Sequence, residues 1–149
     1  MKILIALDES EVSAHAARVA AELFAPCGAE FTVISVTRIP TPWVGGAGYG
    51  SVVALAPDPP WFERGPDDAT NLMERAEAAG VPDPEALVDV GDPASVVCEA
   101  AHLHRIDIIV VGSHDKSALR RLFDPSVAAG VVRGTDLPVL VVSGDTTPG

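Results

Sequence analysis

The sequence predicts an α/β domain, a single five-stranded parallel sheet with helices on both faces. Two observations carry this. Strand-like and helix-like segments alternate along the chain, and several of the strand-like runs are apolar on both faces, as strands covered from both sides are. A chain of 149 residues, 48% of them hydrophobic, has the size of one domain with a sizeable core, so residues 1–149 read as one unit.

Each element has its own signal. KILIAL, residues 2–7, is a continuous apolar run bounded by acidic residues and reads as a buried strand. Ser10 is placed to cap the helix that follows. In that helix Val12, Ala16, Val19, Ala20 and Leu23 recur at helical spacing and predict the buried face, and Pro26 and Gly28 end it. FTVISV, 31–36, is the second strand. A helix is expected over about 66–79, ended by Gly80, and ALVDV, 86–90, is a weaker third strand. Gly91-Asp92-Pro93 is a turn, an N-cap and a proline at the first helical position, and its helix continues through Val96, Val97, Ala100 and Leu103. IDIIVVG, 106–112, is the fourth strand. Asp124-Pro125 repeats the cap-plus-proline signal before a helix running to about Arg133, and LPVLVV, 137–142, is the fifth strand.

Residues 38–65 interrupt the alternation. They are rich in Pro and Gly and hold Trp43, Tyr49, Trp61 and Phe62. A loop this long is commonly a lid, a binding surface or a mobile segment, and its aromatics also suit a plain cover for the sheet edge.

Composition excludes several functions. Ten basic against twenty-one acidic residues leave a net charge of -11, which repels nucleic acid and anionic membrane surfaces. The opening MKILIALDES is too short for a signal peptide or a membrane span. Cys27 and Cys98 lack metal or CxxC spacing and read as small buried or half-buried thiols in a reducing cytoplasm. His15, His102, His104 and His114 have no ligand spacing, and no GxSxG or HExxH is present, so no catalytic residue and no metal site are assigned. Asp8-Glu9 with Asp89 near the end of strand three invites comparison with phosphate-accepting receiver domains, but the fifth strand ends without the Lys they need.

Parallel sheets of this kind bind ligands beyond the carboxyl ends of their strands, where the strand order reverses. Asp8 and Gly112 each follow such an end and are expected to meet there.

Four blocks taken together resemble the universal stress protein family: ILIALDES, FTVISV, VGDPASVVCEAA, and IDIIVVGSHDKSALRRLFDPSV followed by LPVLVV. The resemblance covers nearly the whole chain outside residues 38–65. It implies a Rossmann-like fold of the adenine-nucleotide α-hydrolase kind, usually dimeric, with some members binding ATP. It also implies a frame for the phosphates: a glycine, two residues, a second glycine, nine residues, then a third glycine with Ser or Thr. Gly112 matches the first glycine, Asp115 replaces the second, Pro125 replaces the third, and Ser126 matches the hydroxyl residue, with Val127 beside it. Asp8 matches an acidic residue expected near the ribose, and Val36 one expected beside the adenine.

The two replacements weaken a phosphate cradle. Like charges about 4 Å apart at an effective dielectric of about 20 repel by about 4 kcal/mol, which is the difficulty posed by Asp115. Pro125 has no N–H to donate, a loss of about 1.5–3 kcal/mol at a charged oxygen. A combined loss of about 5 kcal/mol moves a micromolar site past millimolar. His114, Lys116, Arg120, Arg121 and Ser126 act in the other direction. The first expectation is therefore a non-catalytic stress-response protein with a degenerate nucleotide crevice and no resident cofactor, whose function runs through a homodimer and contacts with protein partners the sequence does not name. The alternative is a sensor that still binds ATP with Mg²⁺ screening Asp115.

The fifth strand is apolar on both faces. If it lies at the sheet edge, its unpaired backbone and the residues Val139, Leu140, Val141 and Val142 suit a twofold homodimer.

Overall fold

A computed structural model describes residues 1–37, 65–113 and 127–144 of the chain. Along the chain these residues form β1 (Lys2–Ala6), α1 (Glu11–Phe24) with a short 3₁₀ turn (Ala25–Cys27), β2 (Glu30–Thr37), α2 (Gly65–Ala78), β3 (Glu85–Val90), α3 (Pro93–Leu103), β4 (Ile108–Ser113), α4 (Val127–Gly134) and β5 (Val139–Ser143). The five strands make one sheet in the order β3-β2-β1-β4-β5, and every neighbouring pair is parallel.

Side chains alternate across this sheet and so feed two cores. Ile3, Ile5, Leu7, Phe31, Val33 and Val110 face one layer, where α1 supplies Ala16, Ala17 and Ala20 and α2 supplies Leu72 and Ala76. Leu4, Ile34, Ile109 and Val111 face the other, where α3 supplies Val97 and Ala101 and α4 supplies Ala128 and Val131. The doubly covered parallel sheet is thus the one expected. Burial follows strand order: the interior of β1 is fully buried, while β3 and β5 at the two edges are mostly half-buried.

The local signals behave as their chemistry dictates. The Ser10 hydroxyl accepts from the Ser13 amide and Asp92 accepts from Ser95, with Pro93 at the first helical position of α3. Gly80 takes φ 96 and closes α2, while Val81 N–H donates to the Ala76 carbonyl. Element ends shift by one or two residues. The third strand begins at Glu85 and the fourth runs Ile108–Ser113, because Asp107 is used otherwise, bonding the backbone of Lys2 through both its amide and its carboxylate. Gly65 already belongs to α2, so the interrupting segment ends one residue earlier than expected. Trp43, Tyr49, Trp61, Phe62 and the Asp124-Pro125 cap lie outside the described residues.

Two expectations need correction. The buried face of α1 is Ser13, Ala16, Ala17, Ala20 and Ala21, and Leu23 is 53% exposed. The larger side chains had drawn the predicted stripe, but a helix lying close to a sheet buries its small residues, and Leu23 falls outside that stripe. Cys27 is exposed, carried into solvent by the 3₁₀ turn. Cys98 is half-buried as expected, and burial pushes its thiol up, with Asp92 adding to the shift.

The close seat of α1 depends on two glycines. A Cβ at Gly112 would stand 2.7 Å from Val12 Cγ1 and 2.9 Å from the Val12 carbonyl oxygen. A Cβ at Gly144 would collide with Val12 as well. Val12 therefore seats the first turn of α1 over the ends of β4 and β5. Gly112→Ala is expected to lower stability by about 2 kcal/mol, the usual cost of overpacking. Adding Val12→Ala should recover only part of it, since the backbone contact remains. Urea unfolding curves measure both, and an unchanged midpoint for Gly112→Ala would contradict this packing.

Candidate functional site at the crossover of the sheet

The chain lays down β1, β2 and β3 in one direction and then returns to place β4 and β5 on the other side of β1. The order therefore reverses between β1 and β4, the place where doubly wound sheets bind ligands beyond their carboxyl ends. Ile5 pairs with Val110, so Leu7 and Gly112 lie two positions further on, and Asp8 begins the loop into α1. Asp8 and Gly112 are brought together at this end as expected. Val36, near the end of β2, is half-buried against the second core, and so is Val127, the first residue of α4. Asp115, Pro125 and Ser126 lie outside the described residues.

Asp8 is the most elaborately held residue of this end. Its Oδ1 accepts from the Ser10 amide at 2.7 Å, the Ser10 hydroxyl at 2.5 Å and the Ser13 hydroxyl at 2.8 Å. Its own amide donates to Ser13 Oγ at 3.0 Å. Ser10 thus serves both as N-cap of α1 and as a donor to Asp8. The carboxylate sits at the positive end of the helix dipole, which favours its charge. Sequence reasoning found Ser10 but missed Ser13. The available signal was its spacing, three residues before Ala16 on an otherwise alanine face.

Glu9 is 95% exposed, and its carboxylate lies 3.9 Å from Arg75 Nη1, an ion pair of little strength at that distance and exposure. Together with Glu11, Asp89 and Asp92 it makes the carboxyl end of the sheet acidic among the described residues. Asp89 pairs in register with Val36 on the edge strand. It is two strands removed from β1, about 10 Å by sheet spacing. The comparison with receiver domains fails on this ground, because Asp8, Glu9 and Asp89 do not converge.

Gly112 has a specific physical reading. The close approach that its missing side chain permits is made by Val12. The glycine is needed for the seat of α1, whatever else meets its backbone. Two open grooves formed by described residues lie at the opposite end of the sheet, one lined by Lys2, Phe31, Asp83, Glu85 and His104, the other by Cys98, His102, Arg105 and Leu137. Neither includes Asp8, Val36, Gly112 or Val127. No group of three or more His, Cys, Asp or Glu suited to a metal ion occurs among the described residues, and none of their helices is long and apolar enough to cross a membrane.

Comparison with known proteins agrees with the fold. The universal stress protein family matches residues 1–143. A universal stress protein of Methanocaldococcus jannaschii is 33% identical over 141 residues, 95% of this chain and 81% of its own length. One from Thermus aquaticus is 31% identical over 148 residues, covering 94% of this chain and 96% of its own. A universal stress protein solved in complex with cAMP is 25% identical, with a TM-score of 0.64 over 95% of each chain. With a parallel sheet of this order, a match across nearly its whole length and relatives of this identity, the chain belongs to the universal stress protein family.

Proposed function

We propose that this chain is a non-catalytic regulatory protein that holds an adenine nucleotide with one phosphate in preference to ATP. The observation that carries the reading is the Asp8 carboxylate, fixed by Ser10 and Ser13 at the point where the strand order reverses. A carboxylate held in one orientation accepts the hydroxyl protons of a ribose. Val36, near the end of the adjacent β2, offers an apolar contact for the base. The cAMP-bound relative supports an adenine nucleotide as the ligand class.

The preference for a single phosphate follows from charge and from missing donors. Asp8, Glu9, Glu11, Asp89 and Asp92 surround this end of the sheet, so each further phosphate adds repulsion. Asp115 adds another carboxylate to the loop after β4, and Pro125 removes an N–H from it. Gly112 is engaged by Val12. The ribose and base half of the crevice is retained and the triphosphate half is impaired. Lys116, Arg120 and Arg121 support the second reading, in which Mg²⁺-ATP binds well.

The same protein is read as a homodimer through β5. The strand pairs only with β4 among the described residues and so stands at the sheet edge. Val139, Leu140 and Val141 are half-buried, whereas Val142 is buried within the subunit and contributes through its backbone. Antiparallel pairing of two β5 strands satisfies both edges.

Isothermal titration tests the ligand. AMP is expected to bind at least about tenfold tighter than ATP, a gap of about 1.4 kcal/mol, with or without Mg²⁺. Asp115→Gly combined with Pro125→Gly should raise ATP affinity, and phosphate release from ATP should not exceed a no-protein blank. ATP binding tighter than AMP, or no gain in the double variant, would contradict the reading. Light scattering behind a sizing column tests the assembly: twice the mass of the chain is expected at micromolar concentration, and the mass of a single chain would contradict it.

A further inference from the structure

Resting on the crevice reading above, we infer that Ser13 is a positioning residue for nucleotide binding, acting through Asp8 without touching the ligand. Ser13 is 6% exposed, so its hydroxyl has no access to a bound molecule. It lies on the buried face of α1, where the other positions are Ala16, Ala17, Ala20 and Ala21. A hydroxyl on such a face is costly unless it is hydrogen-bonded, and alanine would continue the pattern. The oxygen meets two groups of one residue. It accepts from the Asp8 amide at 3.0 Å and stands 2.8 Å from Asp8 Oδ1. The carbonyl oxygens of Ser10 and Asp8 also lie within reach, at 3.0 and 3.2 Å. A hydroxyl has one proton to give, and the carboxylate is both the shortest partner and the charged one.

Ser13 therefore ties the backbone and the side chain of Asp8 to a single atom on a rigid helix. With its own amide and its carboxylate both held by one atom, the short Asp8 side chain has little freedom to rotate. Ser10 adds two donors to the same Oδ1 from the solvent side. The cost of ordering the carboxylate is met on folding, before any ligand arrives, which is how preorganisation raises affinity. The sequence fragment Asp8-Glu9-Ser10-Glu11-Val12-Ser13 is in this sense one device: an acceptor, a cap that holds it from outside and a buried hydroxyl that holds it from below.

The experiment measures AMP affinity by titration for the unaltered chain, Ser13→Ala, Asp8→Ala and the double variant, with folding checked by circular dichroism. Ser13→Ala is expected to weaken AMP about tenfold, the size of one hydrogen bond to a charged group. In the Asp8→Ala background the same change should matter less than about twofold, because the residue it positions is gone. Equal losses with and without Asp8 would mark Ser13 as merely structural and overturn the inference. So would full AMP affinity in Ser13→Ala when Asp8→Ala has lost it. If Ser13→Ala fails to fold, Ser10→Gly replaces it in the cycle, since glycine keeps the backbone donor and is tolerated at an N-cap. It should cost about threefold when Asp8 is present and nothing when it is absent, and the opposite pattern would overturn the clamp. No AMP binding by the unaltered chain would overturn the crevice reading itself, a different result from binding that depends on Asp8 but not on Ser13.

Discussion

The seating of Val12 over two glycines is the contact on which the carboxyl end of this sheet depends. Gly112 is the last residue but one of β4, and Gly144 follows directly on β5. Both lack the atom that would keep helix α1 away. Because Val12 fits against them, the helix begins immediately above the carboxyl ends of the strands. The loop from Leu7 to Ser10 is thereby short and taut, and Asp8 is delivered to the crossover between β1 and β4. The hydrogen bonds around Asp8 then fix what the packing has placed. A bulky residue at either glycine would lift the helix and loosen that loop together.

Charge and geometry at this end act in the same direction. A single ordered carboxylate suits neutral hydroxyl donors such as those of a sugar. The acidic residues at this end, Glu9, Glu11, Asp89 and Asp92, oppose a highly charged phosphate chain, and Glu11 in the first turn of α1 already answers the helix dipole. On the proposed reading, the fold keeps the place where doubly wound sheets hold nucleotides while the acidic residues beside it disfavour a triphosphate. The family supplies the architecture, and in the proposed reading the residues of this chain narrow what it accommodates.

Much of the architecture was legible in the residues. Continuous apolar runs such as KILIAL and IIVV identify strands covered on both faces, and Ser10 and Asp92-Pro93 mark helix starts because capping is local chemistry. The proximity of Asp8 and Gly112 was legible, since Asp8 comes just after one strand and Gly112 sits at the carboxyl end of another. What was not legible is tertiary. The order β3-β2-β1-β4-β5 separates Asp89 from Asp8, and nothing in the spacing of those residues reveals it. The buried face of α1 turns on Ala and Ser where Val and Leu carry the stronger hydrophobic signal. The role of Gly112 depends on a side chain one hundred residues earlier in the chain. Ser13 looks like a helix residue of no consequence until its distance to Asp8 is known.

The most direct measurement of the central claim is the mapping of AMP onto the protein by amide chemical shifts. The account predicts that the signals of Asp8, Ser10, Val36, Gly112 and Val127 move on titration with AMP while those of Lys2, Thr32 and His104 at the other end of the sheet stay in place. Shifts confined to Lys2, Thr32 and His104, with the Asp8 loop unmoved, would contradict it.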